Sequence, residues 1–257
     1  TTMTTGTRKT GDFCWINILT PQPKQACEFF SAVLGWTYGE IPGLGYSIKV
    51  GGHDIGGLFD LAAPQTPPGT PPLIGVMLKV EGADAFASKV ASLGGKALPP
   101  FDILDHGRLA VCFDPNGANF DAWQAKKVLG TDVDSTQHGA PNWYETLTTD
   151  VDRAVSFYTQ LLGWSAQVVP MDDSSYTVFK LGATPVAGML AITPRMGAVK
   201  SHWRTYFTVK DADEAARKAV ELGGAITMAM KGAPDGARFC ELTSPQGVAF
   251  CVAQHAR

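Results

Sequence analysis

A repeat within the 257-residue chain constrains its fold more than any other feature of the sequence. Trp15 matches Trp143, and the triplet Leu-Gly-Trp ends at both Trp36 and Trp164, so each pair lies 128 positions apart. A Leu-Gly-Gly triplet recurs 129 positions apart and a Pro-x-Gly turn 130 positions apart, in the same order. Because several anchors keep one order and a nearly constant spacing, we infer two homologous modules.

The hydrophobic pattern predicts the order βαβββ twice in each module. In the first module, helical spacing of apolar residues predicts helices at 25–34 and 83–93, each ending before a Gly. Alternation and Gly-rich turns predict strands at 13–20, 36–41, 46–50, 55–61, 75–80, near 97, 109–113 and 119–124. The second module repeats the order, with helices at 151–162 and 211–222 and strands at 143–149, 203–209, 238–242 and 248–253 among others.

Composition places the module boundaries. Residues 1–12 are polar and Thr-rich, so we expect a flexible tail, and residues 127–140 are polar and turn-rich, as is typical of a linker. The predicted modules are therefore residues 13–126 and 141–254.

Charge and cysteine usage exclude several classes of protein. Lys and Arg total 21 and Asp and Glu total 24, which argues against nucleic-acid binding. No apolar run approaches the ~18 residues that a membrane span needs, and the first residues lack a secretory apolar region. The five cysteines fall in apolar segments without zinc-site spacing, so we expect buried free thiols and a cytoplasmic location.

Two motifs carry a resemblance to a known family. A helix followed by Phe-Tyr-x3-Leu-Gly-Trp ends at Trp164, and an Asp-Pro-x-Gly turn begins at Asp114. Over nearly its whole length the chain resembles the vicinal oxygen chelate superfamily, in particular its two-module glyoxalase/bleomycin-resistance/dioxygenase-like proteins and a mycobacterial glyoxalase-like secreted antigen. The resemblance implies an α+β fold of four βαβββ units forming two glyoxalase-like modules, each a sheet curled into a half-open cup.

The resemblance also implies positions for metal ligands. Catalytic relatives hold a divalent metal with His and Glu, and the six corresponding positions here are Trp15, Trp143, Gly75, Arg204, Asp121 and Cys251. Only Asp121 and Cys251 could bind a metal, one in each module, whereas a site needs three or more convergent ligands. We therefore expect no metal cofactor, although a displaced site that uses Glu145 and His202 stays open as an alternative. Among the five histidines, only His202 is placed where it could face a cup.

Alternation along the strands selects the candidate site residues. In the first module the residues expected to face the cup, as ligand-binding side chains, are Trp15, Asn17, Met77, Asn119, Asp121 and Trp123. In the second module they are Trp143, Glu145, His202, Arg204, Tyr206 and Cys251. The alternatives are a collapsed apolar core in the first module and a Glu–Arg ion pair filling a polar pocket in the second.

Three functions are compatible with these observations. The first is a small-molecule-binding protein, monomeric or homodimeric, with aromatic-lined cups and no metal. The second is a glyoxalase-type lyase or isomerase acting on a small carbonyl compound, in which Glu145 is the base and Arg204 and Tyr206 stabilise an oxyanion. The third is a protein-interaction antigen.

Overall fold

Two curled sheets with four helices make up the part of the chain that the structure describes. The computed structural model describes residues 5–171, 174–232 and 236–256. The first module contains β1 (Phe13–Thr20), α1 (Pro23–Leu34), β2 (Thr37–Ile41), β3 (Gly45–Val50), β4 (His53–Asp60), β5 (Leu73–Val80), α2 (Ala83–Ser92), β6 (Lys96–Ala97), β7 (Phe101–Ile103), β8 (Gly107–Phe113) and β9 (Asn119–Ala125).

The second module repeats this order. It contains β10 (Pro141–Thr148), α3 (Val151–Leu162), β11 (Ser165–Met171), β12 (Ser174–Leu181), β13 (Thr184–Ala191), a 3-10 turn (Pro194–Met196), β14 (His202–Thr208), α4 (Ala212–Glu221), β15 (Ala225–Gly232), β16 (Arg238–Thr243) and β17 (Ala249–Gln254). The predicted α+β class and the four βαβββ units are confirmed.

Each sheet joins two βαβββ units along a central antiparallel pair. The first sheet has the order β2-β3-β4-β1-β5-β9-β8-β6, and β7 pairs with β8. The second has the order β11-β12-β13-β10-β14-β17-β16-β15. Strand β7 was not predicted, because three residues after two prolines are too few to show an alternating pattern.

Local signals explain where the longest helices begin and end. Asp150 accepts a hydrogen bond from the backbone N–H of Arg153, which caps the start of α3. Helices α1 and α3 end at Gly35 and Gly163, whose φ values of 69° and 67° lie in the left-handed region that favours glycine.

The two modules share one apolar core. Phe29 of α1 packs against Phe250 of the second sheet, with ring centroids 6.0 Å apart. Phe157 of α3 packs in the same way against Phe120 of the first sheet, at 6.1 Å. Each of these helices therefore lies partly on the other module's sheet, and the cluster of buried residues is continuous across both modules.

Two equivalent tryptophans connect the modules. The indole N–H of each one bonds to the segment that precedes the other module. Trp36 Nε1 donates to the Gly139 carbonyl at 2.8 Å, and Trp164 Nε1 donates to the Gly11 carbonyl at 2.8 Å. Because Gly11 and Gly139 are also 128 positions apart, the two bonds are the same contact exchanged between modules.

The predicted tail and linker touch each other. Arg8 is buried and donates to the carbonyls of Gly6 and Val133, at 2.7 and 2.8 Å. This part of the first 12 residues is packed against the segment between the modules, unlike the flexible tail that we predicted. The module boundaries themselves stay predictions.

The cysteine prediction is confirmed, since all five cysteines are free and buried. Among the described residues, no helix combines the length and the apolar character needed to cross a membrane.

Trp36→Phe tests whether the modules form one cooperative unit. The change removes the donor to the Gly139 carbonyl but keeps a large apolar ring, so we expect the free energy of unfolding to fall by about 2 kcal/mol. Urea unfolding followed by circular dichroism should show one transition, and Trp164→Phe should cause a similar loss. Two separated transitions in the wild-type protein would contradict the shared core.

Candidate functional site

The concave face of the first sheet encloses a cavity of about 360 Å³. Trp15 and Asn17 of β1, Met77 of β5, and Asp121 and Trp123 of β9 line this cavity. These are five of the six side chains that the sequence predicted for this cup. The neighbours Ile16 and Ile18 point the other way and are buried in the shared core, as the alternation of a strand requires.

Asn119, the sixth predicted residue, supports the cavity from beside it. Its Nδ2 donates to the Cys112 carbonyl at 3.0 Å and lies 3.5 Å from Asp121 Oδ1. Asn119 therefore orients the Asp121 carboxyl and is not among the lining residues.

Asp121 is a nearly isolated buried carboxyl. It is 7% exposed, and the Asn119 amide is the one hydrogen-bond partner that its side chain has within the described residues. Burial raises the pKa of Asp121 to about 7, while the Asn119 hydrogen bond acts in the opposite direction. A carboxylate here has lost its water and has gained no cation in return.

Several lining residues were missed by the sequence analysis. Phe101 and Ile103 of β7 lie on one side of the cavity, and His106, in the turn after β7, joins them. The expectation that only His202 could face a cup was therefore wrong. A turn carries no period-2 pattern, so no local signal assigned His106 to a face.

A charged pair also lines the cavity. Lys49 Nζ lies 2.6 Å from Asp54 Oδ1, and both side chains are partly exposed. The two charges balance each other within hydrogen-bond distance, unlike the charge of Asp121.

In the equivalent cup of the second module, polar side chains bond to one another. Glu145 Oε1 accepts hydrogen bonds from Arg204 Nε at 2.7 Å, from Arg204 Nη2, and from Tyr206 Oη at 3.2 Å. Glu145 Oε2 accepts from Tyr176 Oη at 2.7 Å, and Tyr176 in turn accepts from Trp143 Nε1 at 2.9 Å. The predicted residues Trp143, Glu145, Arg204 and Tyr206 are thus brought together, and Tyr176 is one member that the sequence missed.

Glycine at position 188 makes room for this network. A Cβ atom at Gly188 would lie 1.7 Å from the Tyr176 hydroxyl. Burial, and then the Glu145 charge, raise the pKa of Tyr176, so its hydroxyl stays protonated and donates. Burial lowers the pKa of the Arg204 guanidinium, but Glu145, Tyr206 and Cys251 together raise it by more, so this pKa lies above its usual value.

Glu241 extends the network and meets Cys251. Arg204 Nη1 lies 3.2 Å from Glu241 Oε2, and Cys251 Sγ lies 3.9 Å from the same oxygen. Burial raises the pKa of Cys251 well above its usual value, so it is a neutral thiol. His202 lies at the start of β14 with Nδ1 2.7 Å from the Lys200 carbonyl, and it takes no part in the network.

The strand registers align the two cups position by position. Asn17 and Gly75 pair across β1 and β5, and Glu145 and Arg204 pair across the equivalent strands β10 and β14. Gly45 pairs with Phe59 at the position where Tyr176 pairs with Leu190. At three equivalent positions the first cup therefore has an amide and two glycines where the second has a carboxylate, a guanidinium and a phenol.

The residues of neither cup fit a divalent metal. In the first cup the residue opposite Asp121 on the neighbouring strand is Met77, and the residue opposite Met77 is Trp15. A thioether and an indole are poor ligands for a hard cation. In the second cup the Arg204 guanidinium already lies between two carboxylates. The described part of the chain contains no group of three or more His, Cys, Asp or Glu side chains placed to hold a metal ion.

Comparison with known proteins identifies the family. The family model described as "Glyoxalase/Bleomycin resistance protein/Dioxygenase superfamily" matches residues 140–252. The chain is 34% identical over 245 residues to the protein named "Putative glyoxylase CFP32" of Mycobacterium tuberculosis, covering 93% of this chain and 92% of that protein. The chain belongs to the glyoxalase/bleomycin resistance protein/dioxygenase superfamily. It is also 31% identical over 259 residues to the anthracycline biosynthesis protein DnrV of Streptomyces peucetius, with the same coverage.

Solved structures of the superfamily share the fold. The Mn(II)-bound glyoxalase from Novosphingobium aromaticivorans matches with a TM-score of 0.66 at 14% identity, covering 97% of this chain and 83% of that one. The 2,3-dioxygenase LapB from Pseudomonas sp. KL28 matches with a TM-score of 0.65 at 13% identity, covering 98% and 94%. At these identities the likeness concerns the fold alone.

Asp121→Asn should stabilise the protein increasingly as the pH rises. The pKa of Asp121 in the folded protein is about 7, above its ordinary value of 3.8, so its favourable contribution is complete below pH ~4 and is lost as the pH rises through 7. Between about pH 5 and 8 we expect the stability difference between variant and wild type to grow by about 2 to 3 kcal/mol in urea unfolding.

Asp102→Asn is the matched control for that measurement. Lys126 lowers the pKa of Asp102, so this change should cost stability at neutral pH and the cost should fade in acid. A pH-independent difference for Asp121→Asn would show that its carboxyl is not desolvated.

Glu145→Gln tests whether the second cup is structural. The change leaves the Arg204 guanidinium, which is 12% exposed, without its main carboxylate, so we expect a loss of about 2 to 4 kcal/mol in the free energy of unfolding. Glu221→Gln breaks the exposed Arg217–Glu221 pair and should change stability by less than about 0.5 kcal/mol. Equal effects of the two changes would mean that the Glu145 pair is no more than a surface pair.

Proposed function

We propose that the first module's cup binds a small, planar, largely apolar molecule directly through protein side chains, with no metal between them. The observation that carries this proposal is the 360 Å³ cavity lined by the indoles of Trp15 and Trp123 and by Met77. Its size and its mostly apolar lining with a few polar groups are typical of small-molecule sites. Flat rings pack favourably against indole faces and thioethers.

The second cup supports the proposal by contrast. It is built on the equivalent strands, but its polar groups are hydrogen-bonded to one another. The Glu145–Arg204 pair and Tyr176 satisfy each other, whereas Asn17 in the open cup has no side-chain hydrogen bond to any described residue. We assign ligand binding to the first cup and a structural role to the second.

The glyoxalase-type mechanism with Glu145 as base receives no support from this arrangement. Both oxygens of Glu145 already accept hydrogen bonds, Oε1 from Arg204 and Tyr206 and Oε2 from Tyr176. A substrate would have to displace Arg204 or Tyr176 to reach it. We therefore derive no catalytic step from Glu145, Arg204 and Tyr206.

The relatives are consistent with a small-molecule role but do not identify the ligand. One is named a glyoxylase and others are named for anthracycline biosynthesis, and these names concern different small molecules. Variation of the cup lining within one fold explains such divergence.

Rebuilding the second cup's ion pair in the first cup tests the proposal. The neutral probe N-phenyl-1-naphthylamine should bind the wild-type protein near one equivalent, with enhanced probe fluorescence and quenched tryptophan emission. The double variant Asn17→Glu/Gly75→Arg should reduce this binding at least tenfold, because the new side chains occupy the cavity. A Cβ at Gly75 meets its nearest heavy atom at 3.4 Å, which is ordinary contact.

Ala166→Arg is the control, since it adds the same long side chain at an exposed position of β11. Circular dichroism should confirm that both variants are folded. Unchanged probe binding in the folded double variant, or no probe binding by the wild type, would overturn the proposed function.

A further inference from the structure

We propose that the ligand of the first cup carries a cationic amine that pairs with Asp121 while its planar body contacts Trp15 and Trp123. This inference rests on the proposed function, because it specifies the chemical class of the ligand for the same cavity. The geometry points to a cation through three features of the cavity: the unpaired carboxyl, the tryptophans that line the same cavity, and the balanced charges elsewhere in the lining.

The first feature is a carboxyl without a countercharge. Asp121 is 7% exposed, faces the cavity, and has a single 3.5 Å contact with an amide. Within the described residues no Lys, Arg or His forms an ion pair with it. A buried carboxylate is costly unless it is paired, and a cation from the ligand would supply the missing partner.

The second feature is the aromatic lining beside that carboxyl. Trp123 lies two residues from Asp121 on the same strand, β9. On the neighbouring strands, Met77 of β5 lies opposite Asp121 and Trp15 of β1 lies opposite Met77. Indole faces attract cations through their quadrupole, and the attraction is stronger where water is excluded. Trp123 is fixed in place, because its Nε1 donates to the Val128 carbonyl at 2.8 Å.

The third feature is the state of the other titratable groups around the cup. Lys49 and Asp54 are paired with each other at 2.6 Å, and His106 Nε2 lies 3.9 Å from Asp105 Oδ1. Burial, and then the nearby Asp121, raise the pKa of Cys112 to about 12, so this thiol adds no charge. Asp121 is therefore the acidic group of the lining that remains available to a ligand.

The second cup shows the same principle with an internal cation. There the guanidinium of Arg204 lies beside two carboxylates and 5.6 Å from the Tyr206 ring centroid. The first cup has a carboxyl and aromatic rings, but Gly75 stands at the position equivalent to Arg204. A ligand amine in the first cup would supply the cation that the Arg204 guanidinium supplies in the second.

Two isosteric probes test the charge directly. Naphthalen-2-ylmethylammonium and naphthalen-2-ylmethanol have nearly the same shape, and their affinities can be measured by displacement of N-phenyl-1-naphthylamine at pH 8. We expect the amine to bind wild-type protein at least tenfold more tightly than the alcohol. Asp121→Asn should bring the ratio close to one, and Asp102→Asn, which removes an equal charge from the outward face of β7, should keep the wild-type ratio.

The pH dependence provides a second readout. As the pH falls from 8 to 5.5, protonation of Asp121 should weaken amine binding at least fivefold, while alcohol binding should change less than twofold. The same pH series on Asp121→Asn should be flat for the amine. A dependence that persists in this variant would assign the effect to a group other than Asp121 and would overturn the proposal.

The outcomes separate the two proposals. Binding of the neutral probe without any preference for the amine would overturn the cationic ligand and leave the proposed function standing. Preference for the alcohol, or for a neutral ketone of the same size, would show that Asp121 acts as a neutral hydrogen-bonding acid and would also overturn it. Absence of all probe binding would overturn the proposed function itself.

Discussion

The exchanged packing of the two modules is the constraint on which the cups depend. The indoles of Trp36 and Trp164 each donate to a glycine carbonyl in the segment that precedes the opposite module, and helices α1 and α3 contact the opposite sheets. These contacts use the convex face of each sheet. Because a strand directs alternate residues to opposite faces, burying one face in a shared core leaves the concave faces free to vary.

That freedom explains how two cups of one ancestry differ. Side chains in the shared core must fit both modules, so changes there are costly. The cups differ at three equivalent positions. The second cup has the Glu145–Arg204 ion pair and the Tyr176 phenol there, and the first has an amide and two glycines. The second cup then contributes to stability through a buried network, and the first retains space for a ligand.

The α+β fold and the cavity-facing placement of five of the six residues proposed for the first cup were predictable for a physical reason. Strands β1 and β9 have one face in an apolar core and one in a cup, so the alternation of residues such as Ile16 and Asn17 is strong and local. Tyr176 and Glu241 were not predictable in this way. They lie on strands nearer the sheet edges, where the position of a side chain depends on the pairing register and on the curl of the whole sheet.

Asp121 shows which property of a residue the local sequence predicts and which property depends on tertiary structure. Alternation correctly placed its side chain in the cup, but one residue's pattern says nothing about what stands opposite. The residue that pairs with Asp121 on β5 is Met77, so no basic group faces it there, and this follows only from the register of β5 and β9. The same carboxyl beside an arginine would be an ordinary structural ion pair, as Glu145 is. Without one, it is a charge that the fold has desolvated and has not balanced, and a cationic ligand is the partner that would balance it.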